Sequence, residues 1–322
     1  MVVWIDLGVI RLASVFIWLV GDKFSEASSS LGDFLNLPRS VKGATFDAVS
    51  SSLPELMVAL FSLIAFSRFD LGVSVVTGSA LFNLLIIPAL SVLLSKHAFK
   101  ISKKVVKRDG LFYLGTAVFL LIALILGIWN ILTGIVFLAM YGLYIFLLRR
   151  DSKKHAKRVG KTKPALGLKS ALFWAIVGIL VIAFCSYFLT GSALSLSTAL
   201  GIPPLLIGFT VVAAATSVPD TAVSVINARK GDIDASASNV FGSNSFDILI
   251  GLGLPILLAA ALGFQIVMDA THIEMVFGLV LATIAVLFLL SKRYTLNKAK
   301  AVGMLALYAA FVLYAVLASF PA

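Results

Sequence analysis

Gly43-Ala44-Thr45-Phe46-Asp47-Ala48-Val49-Ser50-Ser51-Ser52-Leu53-Pro54-Glu55 returns 165 residues later as Gly208-Phe209-Thr210-Val211-Val212-Ala213-Ala214-Ala215-Thr216-Ser217-Val218-Pro219-Asp220. Glycine, threonine, alanine, a hydroxyl pair, proline and carboxylate recur in register. A second pair follows at an offset of 164: Gly78-Ser79-Ala80-Leu81-Phe82-Asn83 against Gly242-Ser243-Asn244-Ser245-Phe246-Asp247. Two matches at nearly one offset divide the chain into two related halves.

Helix geometry turns this repeat into chemistry. Ala48, Ser51, Ser52 and Glu55 stand at i, i+3, i+4 and i+7 and share one stripe, and Ala213, Thr216, Ser217 and Asp220 repeat it. Pro54 cannot donate to the carbonyl of Ser50, nor Pro219 to that of Ala215, and such freed carbonyls beside hydroxyls and carboxylates suit hard cations. On the next helix of each half, Ser79 and Asn83, and Ser243 and Asp247, lie at i and i+4 and can complete the ligand shell.

Around these motifs the chain is oily. Of its 322 residues 60% are hydrophobic and 13% charged, with mean hydropathy +1.07, whereas soluble domains approach ~25% charged. Ten apolar stretches, near 2–20, 43–66, 72–95, 111–129, 131–148, 170–190, 204–227, 237–263, 272–291 and 299–319, can each cross a bilayer. The start of the chain lacks the basic residues and cleavage site of a signal peptide, so the first stretch reads as a retained helix. The net charge of +11 comes from short connections with no nucleic-acid motif. Lys96 to Arg108, Arg149 to Lys169, Arg229 with Lys230, and Lys292 to Lys300 all fall on one side, which the positive-inside rule makes cytoplasmic. Both termini are then outside.

The basic stretch 149–169 separates residues 1–148 from 170–322, five helices each. Five is odd, so homologous halves insert in opposite orientations. The expected fold is therefore an all-α integral membrane protein of ten transmembrane helices, arranged as two inverted five-helix repeats with interrupted core helices. Inverted repeats of this kind place substrate sites near the bilayer midplane. An ionised carboxylate there costs ~2.5 to 3.5 kcal/mol on insertion scales. Glu55, Asp220 and Asp247 have no Lys or Arg near them in the sequence and call for cations, which makes all three candidate metal ligands.

At these residues the chain resembles the cation/calcium exchanger superfamily, whose two alpha repeats carry Gly-Thr-Ser-x-Pro-Glu-like and Gly-Ser-x-x-x-Asn/Asp-like motifs. Its second repeat is most similar to that of the potassium-dependent sodium/calcium exchangers. The likeness covers 42–90 and 205–257. It implies a cell-membrane antiporter working by alternating access, with the first and sixth helices sliding against the core. It further implies that Glu55, Asp220, Ser51 and Thr216 bind calcium. Ala48, Ser52, Ser79, Asn83, Ala213, Ser217, Ser243 and Asp247 would then serve sodium or potassium. The transported ions would be Ca2+ and Na+, with K+ or H+ left open, and the only partners small cations and the lipid bilayer. No cofactor, nucleic acid, protein partner or enzymatic activity is implied.

Other classes remain weighable: a proton/divalent-cation antiporter, and a passive cation channel, which prolines and hydroxyls alone would permit. Soluble-enzyme motifs are missing. Asp47 stands where that family usually has an apolar residue, and it lines the pathway or else meets water or a neighbouring helix. Lys23 between Asp22 and Glu26 suggests an ion pair at the end of the first helix. Cys185, the single cysteine, reads as packing, and His97, His155 and His272 read as solvated loop residues.

Overall fold

The computed structural model describes residues 2–37, 39–95, 99–155, 163–268, 270–291 and 293–320. Among these, nine helices are long and apolar enough to span a membrane: α1 Val2–Phe34, α2 Thr45–Ile64, α3 Phe69–Leu94, α4 Lys103–Leu126, α5 Ile131–Asp151, α6 Leu168–Leu200, α8 Ile233–Leu262, α9 Ala270–Ser291 and α10 Lys298–Ser319. A bent pair, Pro204–Thr216 and Val218–Arg229, supplies the tenth as α7. The chain is a multi-pass membrane protein. Lys96, His97, Lys292 and linker residues 156–162 lie outside the described residues.

Helices α1 and α6 are much longer than their apolar cores suggested, at 33 residues each. At 1.5 Å per residue each measures about 50 Å, against a hydrocarbon thickness of about 30 Å, so both project beyond the hydrocarbon or cross it at a tilt. The polar tail Ser25–Asp33 stays helical because its hydroxyls find internal acceptors. Ser30 Oγ donates to the Glu26 carbonyl at 2.8 Å, and Ser28 Oγ to the Phe46 carbonyl at 2.5 Å. Helix α6 stops only at Gly201, whose φ of +64° forms a left-handed cap. The two helices pack on one another, and Phe24 and Ala27 of α1 and Ala175 and Ile182 of α6 also reach the main core. Cys185 is buried in their apolar seam with Ile17 and Leu189. The α1 ion pair forms as read, Lys23 Nζ to Glu26 Oε2 at 2.9 Å.

The repeat is written into local backbone as well as sequence. Each half opens its stripe with a π-helical turn, Gly43–Asp47 and Gly208–Val212, a rare element often found at functional sites. Thr45 Oγ1 donates to the Val41 carbonyl at 2.7 Å, and its counterpart Thr210 Oγ1 to Leu206 at 2.6 Å. Ser51 reaches the carbonyls of Asp47 and Ala48, while Thr216 reaches those of Val212 and Ala213. The halves differ at their prolines. α7 bends by 46° at Ser217, whereas Pro54 sits inside a helix that continues from Ala48 to Ile64.

α3 and α8 cross the centre. Gly78 of α3 lets the α7 backbone approach so closely that a Cβ there would lie 2.7 Å from Phe209 Cα. Gly242, its partner in the repeat, is looser: a Cβ would meet only the Tyr144 hydroxyl, at 3.9 Å. On the basic side, β1 Phe99–Lys100 pairs antiparallel with β2 Thr295–Leu296 and ties the α3–α4 connection to the α9–α10 one.

One expectation is overturned. His272 is not solvated: it is buried near the start of α9, with Nε2 3.2 Å from Ser74 Oγ and 3.2 Å from the Asp70 carbonyl. Its neighbours on α9 made the position read as a loop, but α3 brings a hydroxyl and a carbonyl to it. His155 ends the helix that contains α5.

Candidate functional site

The stripes of α2 and α7 face each other across α3 and α8. Glu55, Asp220 and Asp247 converge, each offering one carboxylate oxygen, and these oxygens all lie within 4.8 Å of one another. All three residues are fully buried. At that separation, with an effective dielectric of about 20, each pair of ionised carboxylates repels by about 3.5 kcal/mol. Among the described residues none of the three forms an ion pair with Lys or Arg; the salt bridges join other residues, such as Lys42 with Asp33 and Arg108 with Asp109.

Hydrogen bonds cross between the halves. Asn83 Nδ2, from the first, donates to Asp220 Oδ2 at 2.8 Å, and Ser243 Oγ donates to Asp220 Oδ1 at 2.8 Å. Ser79 Oγ lies 3.2 Å from Glu55 Oε1, to which it can donate, and 2.9 Å from Ser217 Oγ. Ser51 Oγ lies 3.4 Å from Ser243 Oγ. Thus Glu55, Asp220, Ser51, Ser79, Asn83, Ser217, Ser243 and Asp247 meet in one buried cluster.

Its remaining polar atoms are telling. Glu55 Oε2, Ser52 Oγ, Asn83 Oδ1 and both Asp247 oxygens are buried without a hydrogen-bond partner. An unsatisfied buried polar atom costs roughly 1–3 kcal/mol, and five in one place, all oxygens, form a donor set for a hard cation. The carbonyls of Ala48 and Ala213 are occupied in this conformation. The first accepts from Ser51 Oγ, the second from Ser217 N and Thr216 Oγ1. Thr216 Oγ1 bonds back to its own helix and also lies beside the Glu55 carboxylate.

Asp47 does not join the cluster. It ends the π turn two helical turns before Glu55, beside Ser29 of α1 and the Asp33–Lys42 pair, with Oδ1 buried and unpartnered. Sequence reasoning missed Tyr113 and Asn244, whose polar atoms also lie in this region, because a single tyrosine in an apolar run and an asparagine between two serines carry no spacing signal.

With this geometry in view, comparison with known proteins is specific. The sodium/calcium exchanger protein family model matches residues 5–149 and 170–317. The chain belongs to that family, and is a membrane antiporter. It is 30% identical over 254 residues to a putative antiporter, CaxA, of Alkalimonas amylolytica, covering 76% of this chain and 78% of that protein. It is 38% identical over 144 residues to human sodium/potassium/calcium exchanger 3, covering 43% of this chain but only 22% of that protein. Among solved structures, an H+/Ca2+ exchanger CAX superposes with TM-score 0.75 at 16% identity, over 98% of this chain and 86% of that one. The sodium-calcium exchanger NCX_Mj superposes with TM-score 0.67 at 23% identity, over 99% of this chain and 100% of that one. These structural likenesses carry the fold.

Proposed function

We propose that the protein exchanges calcium for sodium, with Glu55 and Asp220 as the principal calcium ligands. The observation that carries this reading is the fully buried carboxylate trio within 4.8 Å, without a basic partner among the described residues. Ser51 and Thr216 support the calcium position. Ser52, Ser79, Asn83, Ser217, Ser243, Asp247 and the carbonyls of Ala48 and Ala213 serve the monovalent ions, and sodium/potassium/calcium exchange by the human relative makes potassium a candidate among them.

Coupling follows from charge. An empty site with three carboxylates is too costly to enclose in a low-dielectric interior, so only the loaded protein changes its accessible face. One divalent ion or several monovalent ions satisfy the same oxygens, and their competition makes the exchange obligatory. α1 and α6, packed together, are the elements placed to slide. Residues 1–148 and 170–322 act as the two halves, joined by the basic linker on the cytoplasmic side with both termini outside. Asp47 would line the inner approach.

Calcium uptake into proteoliposomes, driven by an imposed outward sodium gradient, tests the reading. Uptake indifferent to that gradient discards sodium coupling. A second reading, proton/calcium exchange, draws on Asp247, whose carboxylate is fully buried beside two other acids and so can hold a proton. Uptake driven by a pH gradient without sodium would establish that alternative.

A further inference from the structure

The two halves close their π turns in opposite ways. In the second half, Gly208 lies so near α3 that a Cβ there would meet Leu71 Cδ1 at 2.8 Å, and Ile207 and Val212 are buried in the apolar seam with Ile17 and Leu196. In the first half the same repeat positions hold Lys42, Gly43 and Asp47, on the side of the basic connections. A Cβ on Gly43 would meet, among the described residues, only Asp47 Oδ2, at 3.9 Å. Polar ties replace the packing here: Ser28 Oγ donates to the Phe46 carbonyl, Asp47 stands beside Ser29, and Lys42 Nζ donates to Asp33 Oδ1 at 2.8 Å. The lysine is shaped into that place. Its stem crosses the α1 backbone at Gly32, where a Cβ would lie 2.6 Å from Lys42 Cγ, and the ion pair is largely withdrawn from water, with side chains 12% and 8% exposed.

We propose that Lys42 is the latch of the basic-side mouth. Its tie to Asp33 holds the end of α1 against the chain entering α2, and its release opens the way past Asp47 toward the carboxylates, while the opposite mouth is shut by apolar packing. Parting a close-packed apolar contact forfeits many small attractions at once, whereas a single ion pair yields when a competing ion takes one of its partners. A cation arriving at the Asp33 and Asp47 carboxylates competes with the Lys42 ammonium, so the cargo itself loosens the mouth. That traffic of ions rests on the exchange proposed above.

Thr45 and Thr210 occupy the same place in the two π turns and bond in the same way, so a cysteine at each reports on its own mouth. The test labels purified full-length chains, carrying Cys185→Ala with either Thr45→Cys or Thr210→Cys, with an uncharged maleimide. Lys42→Met keeps the stem across Gly32 and removes the charge. It should speed labelling of Thr45→Cys about tenfold, the weight of one hydrogen bond to a charged group, and leave Thr210→Cys unchanged; Lys42→Arg should restore the slow rate. No change at Thr45→Cys would overturn the latch, and so would an equal rise at both positions, which is a loosening of the whole protein that a lowered melting curve records. Calcium uptake into everted and right-side-out vesicles then reads the two faces separately. Lys42→Met should raise the apparent calcium affinity on the basic face alone, and a shift on both faces would overturn the proposal. Failure of the exchange reading looks different: neither vesicle then shows sodium-coupled calcium uptake, with the labelling contrast intact.

Discussion

Asp247→Asn should make the ion-free protein more stable and the calcium-loaded one relatively less so. The Ser52 and Ser79 hydroxyls that face Asp247 can donate to an amide oxygen as well as to a carboxylate, so the substitution forfeits little hydrogen bonding. It removes one charge from a trio whose oxygens lie within 4.8 Å. With all three ionised, the two repulsions amount to about 7 kcal/mol at the longest separation, which proton uptake and local relaxation reduce to a net gain of roughly 1–3 kcal/mol. The new amide can donate to Glu55 Oε2, which is otherwise unpartnered. The assay is thermal melting of purified protein at alkaline pH, first in chelator and then across a calcium series. The melting point in chelator should rise by a few degrees, and the increment that calcium adds should shrink. A melting point lowered in chelator would refute the reasoning, because it would mean that the third carboxylate stabilises the empty site rather than straining it.

Glu55→Gln and Asp220→Asn should each abolish calcium flux in proteoliposomes, and full activity in both would remove these residues from the site. Gly78→Val should lower the melting temperature by an overpacking cost of about 1–3 kcal/mol and stop transport, since a Cβ there already meets Phe209 Cα at 2.7 Å, while Gly242→Ala should melt near wild type. Asp109→Asn should destabilise by about 1–3 kcal/mol. The buried Asp109 carboxylate receives Arg108 Nε at 2.7 Å, and Tyr144 and Ser238 also donate to it, while the guanidinium keeps its second partner, Asp151, at 2.7 Å. A melting point within a degree of wild type would contradict that account.

Much of this molecule was legible in the amino-acid order because membranes impose strict rules. Ten apolar stretches and the one-sided basic connections needed no tertiary information. The carboxylate site was legible for a different reason: a duplicated motif repeats its own spacing, and placing Ser51, Ser52 and Glu55 on one stripe required only 3.6 residues per turn. The ends of α1 and α6 were not legible. Hydropathy fades after Val20 and after Thr190, yet both helices run on for at least ten residues, held by packing between the two helices and by serine hydroxyls bonding back to the backbone.

Contacts between distant segments were hidden for a more general reason. His272 has polar and acidic neighbours in sequence, and only α3, some two hundred residues away, reveals that its ring is enclosed. Tyr113 is a further case, since it belongs to no repeated pattern and only the packing of α4 on α8 brings its ring beside Phe241. The same limit explains the unequal breaks at Pro54 and Pro219. Each proline withholds one donor, but whether the helix bends depends on what is packed against it, and the close approach of Gly78 falls on α7 alone. A repeated sequence therefore fixes which atoms can bind a cation, while the asymmetry between the halves decides how each stripe bends around it.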